Sequence, residues 1–487
     1  MILDPSACRQ ALVARDPRFD GTFVVAVATT GIYCRPVCPA RTPRADRCAY
    51  FRLSAQAEAA GYRACLRCRP EVAPGTTDAA VDARARLVAD AVAAIERGVL
   101  VERSHDQLAE ALGVTGRHLR RAVVAELGVT PGQLDRTRRL AIAKQLLHDS
   151  RASLTEVALA AGFGSVRRWN AAFRTQFATT PSSFRRRAAG RGADQALTVR
   201  LDARPPFAGR ALLGFLRGRA IAGVEDVTED RYRRTVADGA GGWLEVRVVD
   251  DHARPGVRLT IATSLAPRLL PIVARVRALF DLDAEPQAIA DHLGRDPRLA
   301  AAVAATPGRR VPGAFDPFEV AVRTVLGQQV SVAAASTLCA RLVTRFGRPI
   351  ATPHPGLTHV APDAAALAAA SVDALAALGL PRSRAETLRG LALAVVDGRV
   401  TWTRPRDPAA AMAALTAIRG VGPWTASYLA MRALGWPDGF PAGDLVLQRQ
   451  LGVTSAAAAE RAAAGWRPWR AYAAVHLWAA AGARQGG

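Results

Sequence analysis

Four cysteines stand in two close pairs: Cys34 and Cys38 with three residues between them, Cys65 and Cys68 with two, and 26 residues between the pairs. Thiolates are zinc ligands, and two such pairs suit a tetrahedral four-cysteine site for one Zn2+. On spacing alone the set serves a structural zinc knuckle; because a metal keeps sulfur ionised at neutral pH, it also serves a nucleophile. Cys8 and Cys48 fall outside the paired spacing. A second constellation lies far downstream. Gly420-Val421-Gly422 makes a tight turn between two apolar helical segments, and Pro423 suits the first helical position, where its missing N–H costs nothing. This is a helix-hairpin-helix, whose outward backbone N–H groups form a site for a DNA phosphate. The carboxylate of Asp444 follows, just before the helical segment from Leu445, where its simplest role is an N-cap.

These groups need several bodies to carry them. The chain of 487 residues is long enough for three or four domains, and half of it is hydrophobic, as in globular proteins. A formal net charge of +23, spread along the chain, makes a polyanion such as double-stranded DNA the natural partner. No apolar run is long enough to span a membrane, and MILDPSACRQ lacks the regions of a signal peptide, so no membrane partner and a cytoplasmic location are expected. In a reducing compartment the clustered cysteines read as metal ligands before disulfides. Lys144 is the only lysine.

The fold class expected is multidomain α+β. Residues 1–78 form a small zinc-binding α/β module, 81–188 an all-α double helix-turn-helix region, 196–310 an antiparallel-sheet α+β domain and 311–487 an all-α helix-hairpin-helix domain. The links Pro70–Thr77 and Ala188–Gln195 carry no periodicity. In the second region, Ser104–Gly113 turns into Thr115–Glu126, with Arg117, His118, Arg120 and Arg121 on the second helix. Leu154–Gly162 turns at Phe163-Gly164 into Ser165–Phe177, with Arg167, Arg168, Asn170 and Arg174. Arginine and asparagine read guanine and adenine edges in a major groove, although a generic helical bundle also shows such glycine turns. Beyond residue 195, Leu197–Leu201, Trp243–Val249 and Val257–Ile261 alternate with period two as half-buried strands, with helices over Phe207–Leu216 and Leu270–Phe280. From Pro317 onward the pattern is helical.

Three resemblances sharpen this reading. The runs Thr29–Cys38 and Ala60–Pro70 are similar to the methyl-phosphotriester-sensing module of Ada, over nearly all of residues 8–72. That resemblance implies that Cys34, first of the set, accepts a methyl group from a methylated DNA phosphate. Zinc with four thiolates carries a formal charge of about −2 and with one thioether about −1, so methylation would weaken repulsion from DNA and tighten binding. The second helix-turn-helix, through Thr180–Arg185, resembles the AraC-type activator domain, departing from it at Ala178, where glycine is usual, and at Trp169, where phenylalanine is common. RNA polymerase is then an implied partner.

The hairpin, with the loop Phe440-Pro441-Ala442-Gly443-Asp444, resembles the helix-hairpin-helix DNA glycosylases, and Phe318–Val332 resembles their AlkA type. The resemblance implies that Asp444 stabilises the positive sugar as an alkylated purine leaves, that Gly420, Gly422, Gln328 and Gln329 meet DNA, and that Gln329 is the wedge filling the gap left by the flipped base. It also implies a base pocket lined by Trp424, Tyr428 and Trp478. Gln329 reads equally well as an ordinary exposed glutamine, and outside this context each aromatic reads as core. Bifunctional relatives use a lysine Schiff base, and residues 191–487 contain no lysine; Cys339 is the only cysteine there, so no iron–sulfur cluster is expected. The implied protein excises 3-methyladenine- and 7-methylguanine-type bases as a monofunctional glycosylase and is a methylation-switched transcriptional regulator. The alternative is a glycosylase whose first two domains only anchor it to DNA.

Overall fold

The computed structural model describes residues 5–15, 19–20, 22–51, 54–68, 70, 80–150, 152–188, 196–239, 241–402 and 408–485. Both linkers, at 71–77 and 189–195, lie outside the described residues. By packing the chain divides into two compact units, Met1–Thr137 and Arg138–Gly487.

The first unit opens with α1 (Pro5–Ala14), followed by β1 (Val24–Val27), β2 (Ile32–Cys34), β3 (Cys48–Phe51), α2 (Ser54–Ala59) and β4 (Arg63–Ala64). Gly31, at φ +65°, supplies the left-handed residue of the tight β1–β2 turn. The sheet order is β3-β1-β2-β4, antiparallel except for the parallel β2–β4 pair. Tyr33 is fully buried beneath it and donates its hydroxyl proton to Glu58 at 2.7 Å. The parallel pair matters for chemistry: Cys65 N–H donates to the Tyr33 carbonyl at 3.0 Å, which sets the second cysteine pair beside the first. Next come α3 (Ala80–Glu96), α4 (His105–Ala111), α5 (Gly116–Leu127) and α6 (Pro131–Asp149), within which the units divide. Ser104 and Gln107 close a capping box on α4, and Thr115 caps α5. Leu87, Ile95, Leu108, Leu119 and Val123 form the core of this all-helical part.

The second unit continues with α7 (Leu154–Ala160), α8 (Val166–Phe177) and α9 (Pro181–Ala188). Ala178 closes α8 at φ +51°. The departure from glycine noted in the sequence therefore falls on a backbone conformation that costs an L-residue about 1–2 kcal/mol. A five-stranded antiparallel sheet follows, built from β5 (Ala196–Asp202), β6 (Glu225–Val227), β7 (Arg231–Val236), β8 (Gly242–Val249) and β9 (Gly256–Ala262) in the order β5-β9-β8-β7-β6, with α10 (Gly209–Arg217) between its first two strands. The strands read from the sequence are β5, β8 and β9; β6 and β7 are additional. β7 is Arg-Tyr-Arg-Arg-Thr-Val, whose charges mask its burial: Arg234 is buried and pairs with Glu319 at 2.6 Å. The buried faces of β5, β8 and β9 share one core with Leu140, Leu147, Trp169 and Phe173 of the preceding helices. Arg138 also donates to the Leu270 carbonyl at 3.4 Å, and Gln145 donates to the Arg200 carbonyl. The second helix-turn-helix is thus docked on the sheet.

Among the described residues the remainder is helical apart from one two-residue strand pair, as read from the sequence for α11 and from Pro317 onward, with α12 and α13 additional: α11 (Leu269–Leu279), α12 (Pro286–Leu293), α13 (Pro297–Ala305), α14 (Pro317–Leu326), α15 (Val332–Phe346), β10 (Arg348–Pro349) with β11 (His359–Val360), α16 (Ala364–Ala369), α17 (Val372–Ala376), α18 (Arg382–Val396), α19 (Pro408–Thr416), α20 (Pro423–Arg432), α21 (Leu445–Leu451), α22 (Ala456–Ala462) and α23 (Arg470–Gln485). α11 joins the core of the sheet through Ile272 and Val276, and the helices after it form two further cores. Val325, Leu342, Leu388, Leu391 and Leu429 belong to one, and Met431, Leu447, Trp466 and Leu477 to the other. α20 contributes to both, so the face between Leu429 and Met431 lies where the cores meet.

Candidate active site and metal centre

The hairpin between α19 and α20 is built by glycine for a steric reason. Gly420 has φ +86°, and a Cβ there would lie 2.0 Å from the Thr387 hydroxyl of α18. Val421 tucks its side chain into the core, and Gly422 is the N-cap of α20 with Pro423 behind it. α20 then carries Trp424 and Tyr428 one turn apart on one face. Their rings stack at 5.4 Å and 16°, and Tyr428 meets Trp478 of α23 at 6.1 Å and 52°. The three aromatics singled out in the sequence come together, each half-buried.

Asp444 is the N-cap of α21 and is held entirely by N–H donors. Oδ1 accepts from the backbone of Val446 and Leu447, each at 3.0 Å, and from the Trp478 indole at 3.1 Å. Oδ2 accepts from the Trp424 indole at 3.3 Å. The capping role and a site role coexist in one carboxylate: the two backbone donors fix its place and the two indoles tie it to the aromatic walls. Side chains that cap and stack are fixed by packing, which is the condition for preorganised electrostatics.

Residues not anticipated from the sequence complete this site. Arg432 donates to the Tyr428 hydroxyl at 2.8 Å and to the Gly313 carbonyl at 3.0 Å, and its guanidinium lies 4.9 Å over Phe215 of α10. Arg219 lies 3.8 Å over the same ring. Burial opposes ionisation of the Tyr428 hydroxyl, but Arg432 and Arg219 outweigh it and hold the phenol below its usual range. The sheet domain therefore reaches the aromatic cluster through Phe215 of α10 and Arg219 just after it. Nothing local in the sequence marks a contact made across two hundred residues.

Gln329 is exposed and adopts φ +55°, in the turn between α14 and α15. Gln328 beside it points inward, with its amide bonded to other parts of the chain. On the second helix of each helix-turn-helix, Arg117, His118, Arg120 and Arg121 of α5 are exposed, as are Arg167, Arg168 and Arg174 of α8, while Asn170 is half-buried. Cys339 is buried on α15, where burial pushes its thiol up to about 11.

At the thiolate centre the sulfurs of Cys34, Cys38, Cys65 and Cys68 all lie within 4.8 Å of one another. Tetrahedral zinc at its usual bond length to sulfur needs sulfurs about 3.8 Å apart, so the donor set fits that ion. Cys38 and Cys68, and then burial, push the Cys34 thiol well up. Sulfurs this close ionise together only around a cation. The Arg35 backbone N–H donates to Cys68 Sγ at 3.3 Å, and the buried Arg35 guanidinium pairs with Asp20, anchoring the loop between the first two ligands. Cys34 and Cys65 are half-buried and Cys38 and Cys68 buried. Cys8 packs with Ala11 and Phe23, and Cys48 donates to the Arg44 carbonyl at 3.2 Å, both outside the cluster.

Four family models match successive stretches of the chain: the metal binding domain of Ada over residues 7–71, a helix-turn-helix domain over 108–187, the AlkA N-terminal domain over 198–316, and the HhH-GPD superfamily of base excision DNA repair proteins over 322–463. Fold and site together define a DNA glycosylase of the helix-hairpin-helix class, joined in one chain to a zinc-binding module and a DNA-binding helix-turn-helix region. The probable bifunctional transcriptional activator/DNA repair enzyme AlkA of Mycobacterium tuberculosis is 40% identical over 485 residues, 98% of this chain and 96% of that protein. The chain belongs to that family of bifunctional activator and repair enzymes. DNA-3-methyladenine glycosylase 2 of Escherichia coli is 37% identical over 57% of this chain and 95% of its own. The fold of the C-terminal part is shared with the 3-methyladenine DNA glycosylase of Archaeoglobus fulgidus, with a TM-score of 0.50 and 21% identity over 58% of this chain and 98% of that one.

Proposed function

We propose that this protein removes 3-methyladenine- and 7-methylguanine-type bases from double-stranded DNA through Asp444 and reads methylated phosphates through Cys34. The observation that carries the first part is the pair of indole N–H bonds on Asp444. An alkylated purine is an electron-poor, cationic leaving group, and the faces of Trp424, Tyr428 and Trp478 would stack on it once it is flipped out. As the bond from C1′ to the base nitrogen breaks, its electron pair goes to the base and positive charge develops on the sugar. Asp444 stabilises that charge and orients the water that adds to C1′. Without a lysine in the C-terminal half, no Schiff base forms and the strand stays uncut. Gly420 and Gly422 present backbone N–H groups to a phosphate, and Gln329 enters the stack.

In the N-terminal module one zinc ion, held by Cys34, Cys38, Cys65 and Cys68, would keep the sulfurs as thiolates. Cys34 Sγ attacks the methyl carbon of a methylphosphotriester; the S–C bond forms as the C–O bond breaks, leaving a phosphodiester anion. The thioether reduces the negative charge facing DNA, and the arginines of α5 and α8 then hold a promoter more tightly, where RNA polymerase is recruited. Domains at 1–78, 81–188, 196–310 and 311–487 divide this work, with no iron–sulfur cluster required.

The test uses duplex DNA carrying labelled methyl groups and the full chain, with Cys34→Ala and Asp444→Asn alongside. Released methylated purines and label retained on protein are both expected from wild type, each variant losing only its own signal. Base release without retained label would leave a glycosylase anchored by a structural zinc domain. Retained label without release would make the C-terminal half a DNA clamp.

A further inference from the structure

Gln328 links two parts of the glycosylase half that are far apart in sequence. Its side-chain Nε2 donates to the Gly420 carbonyl at 3.0 Å and to the Thr425 hydroxyl at 3.0 Å. An amide nitrogen has two protons, and both are spent inside the protein. The Gln328 main-chain carbonyl accepts from Arg384 of α18 at 2.6 Å. α18 touches the hairpin as well: Thr387, one turn beyond Arg384, abuts Gly420 so closely that only glycine fits. Three elements therefore converge on one residue. The loop after α14 supplies it, the hairpin and the first turn of α20 receive its side chain, and α18 holds its backbone.

The next residue, Gln329, stands exposed at φ +55°. A non-glycine residue in that conformation costs about 1–2 kcal/mol and persists only where its surroundings over-determine it. The three bonds of Gln328 and the cap that Ser331 places on α15, accepting from Ala334 N at 3.2 Å, are what fix the turn on either side.

We propose that Gln328 is a positioning residue for base excision: an internal strut that sets the distance between the wedge at Gln329 and the phosphate-gripping hairpin at Gly420–Gly422. Extruding a base requires the backbone to be held at one point while a side chain enters the stack at another, and the two points must keep a fixed separation under load. Gln328 carries that load with both amide protons spent inside the protein, in place of the DNA contact that the resemblance implied for it. The inference rests on the glycosylase reading above, keeping Gly420, Gly422 and Gln329 as residues that meet DNA and moving Gln328 out of that set.

The test compares wild type, Gln328→Met and Thr425→Val by single-turnover release of 7-methylguanine from two duplexes. In one the lesion faces cytosine; in the other it faces an abasic nucleotide, so the stack is already weakened and no orphan base remains. Gln328→Met keeps the length and volume of the side chain while removing both donors. Misplacement on the scale of 1 Å costs about a hundredfold, so release from the first duplex falls about 10- to 100-fold. On the second duplex the loss is under about threefold, because the step that needs the strut is easier there. Thr425→Val, which removes one of the two acceptors, falls between. A fluorescent adenine analogue beside the lesion reports loss of flipping in the same variants. Equal losses on both duplexes would make Gln328 merely structural, and undiminished release from the first would remove any role; either overturns the proposal. No release by wild type from either duplex would instead sink the glycosylase reading.

Discussion

The indole of Trp478 donates to Asp444 at 3.1 Å, so the residue that forms one wall of the aromatic cluster also holds the carboxylate in place. Stacking surface and charge are a single rigid assembly, since Trp424 binds the other carboxylate oxygen. Replacing Asp444 by Asn keeps the cap on α21 through its amide oxygen but turns an NH2 towards the Trp424 indole N–H, so stability falls by about 1–2 kcal/mol while single-turnover excision falls by at least about a hundredfold. Trp478→Phe retains a ring but deletes the bond; a loss of about 1–2 kcal/mol corresponds to about 5- to 30-fold in rate. Parallel melting curves and base-release assays separate these effects.

Ala178 closes α8 in a left-handed conformation that suits glycine. Ala178→Gly is expected to stabilise the protein by about 1 kcal/mol. The side chain is exposed, so little packing is lost. A higher urea midpoint with an unchanged slope would bear this out, and a lower one would contradict it.

His476 lies on α23, two residues from Trp478, with Nδ1 3.2 Å from the Ala302 carbonyl. Burial and Arg309 push its pKa down from 6.5 to about 4. As pH falls below 6.5 the unfolded chain takes up this proton first, so its contribution to stability is whole above pH 6.5 and is lost towards pH 4. The full loss is on the order of 3 kcal/mol. Buried Asp281, raised to about 6, acts with the opposite sign over part of this window, its penalty easing as pH falls. The readout is therefore the difference between wild type and His476→Gln: the gap in melting temperature should change between pH 7 and pH 4.5, and a constant gap would refute the assignment.

Metal analysis of the purified protein should return one zinc per chain, falling to background in a Cys38→Ser, Cys68→Ser double variant. Strong chelation should expose thiols to a disulfide reagent and lower the melting temperature of the N-terminal module, because binding and folding are linked. Unchanged thiol reactivity after chelation would count against a metal at these four sulfurs.

Much of this architecture was legible from local chemistry. Cysteine spacing reports a metal site because ligand geometry is short-range, and β5, β8 and β9 alternate cleanly because one face of each is buried. β7 was hidden, since its inward Arg234 is tolerable only through an ion pair with Glu319, 85 residues away. The same limit applies at the site. Trp424, Tyr428, Trp478 and Asp444 sit in recognisable motifs, whereas the approach of Phe215 and Arg219 and the inward turn of Gln328 depend on how separate elements pack, which no window of sequence contains.

The second helix-turn-helix shares its hydrophobic interior with the sheet that follows, Trp169 and Phe173 lying in one cluster with Leu197 and Leu259. A scissors cut at the evident linker near residue 190 would divide that interior and leave two greasy scars, one on each fragment. The piece that should survive in solution starts upstream of α7 and keeps the second helix-turn-helix with it. Natural or engineered shuffling of the glycosylase half would have to carry that helix-turn-helix along as baggage, or repaint the face beneath it with polar side chains.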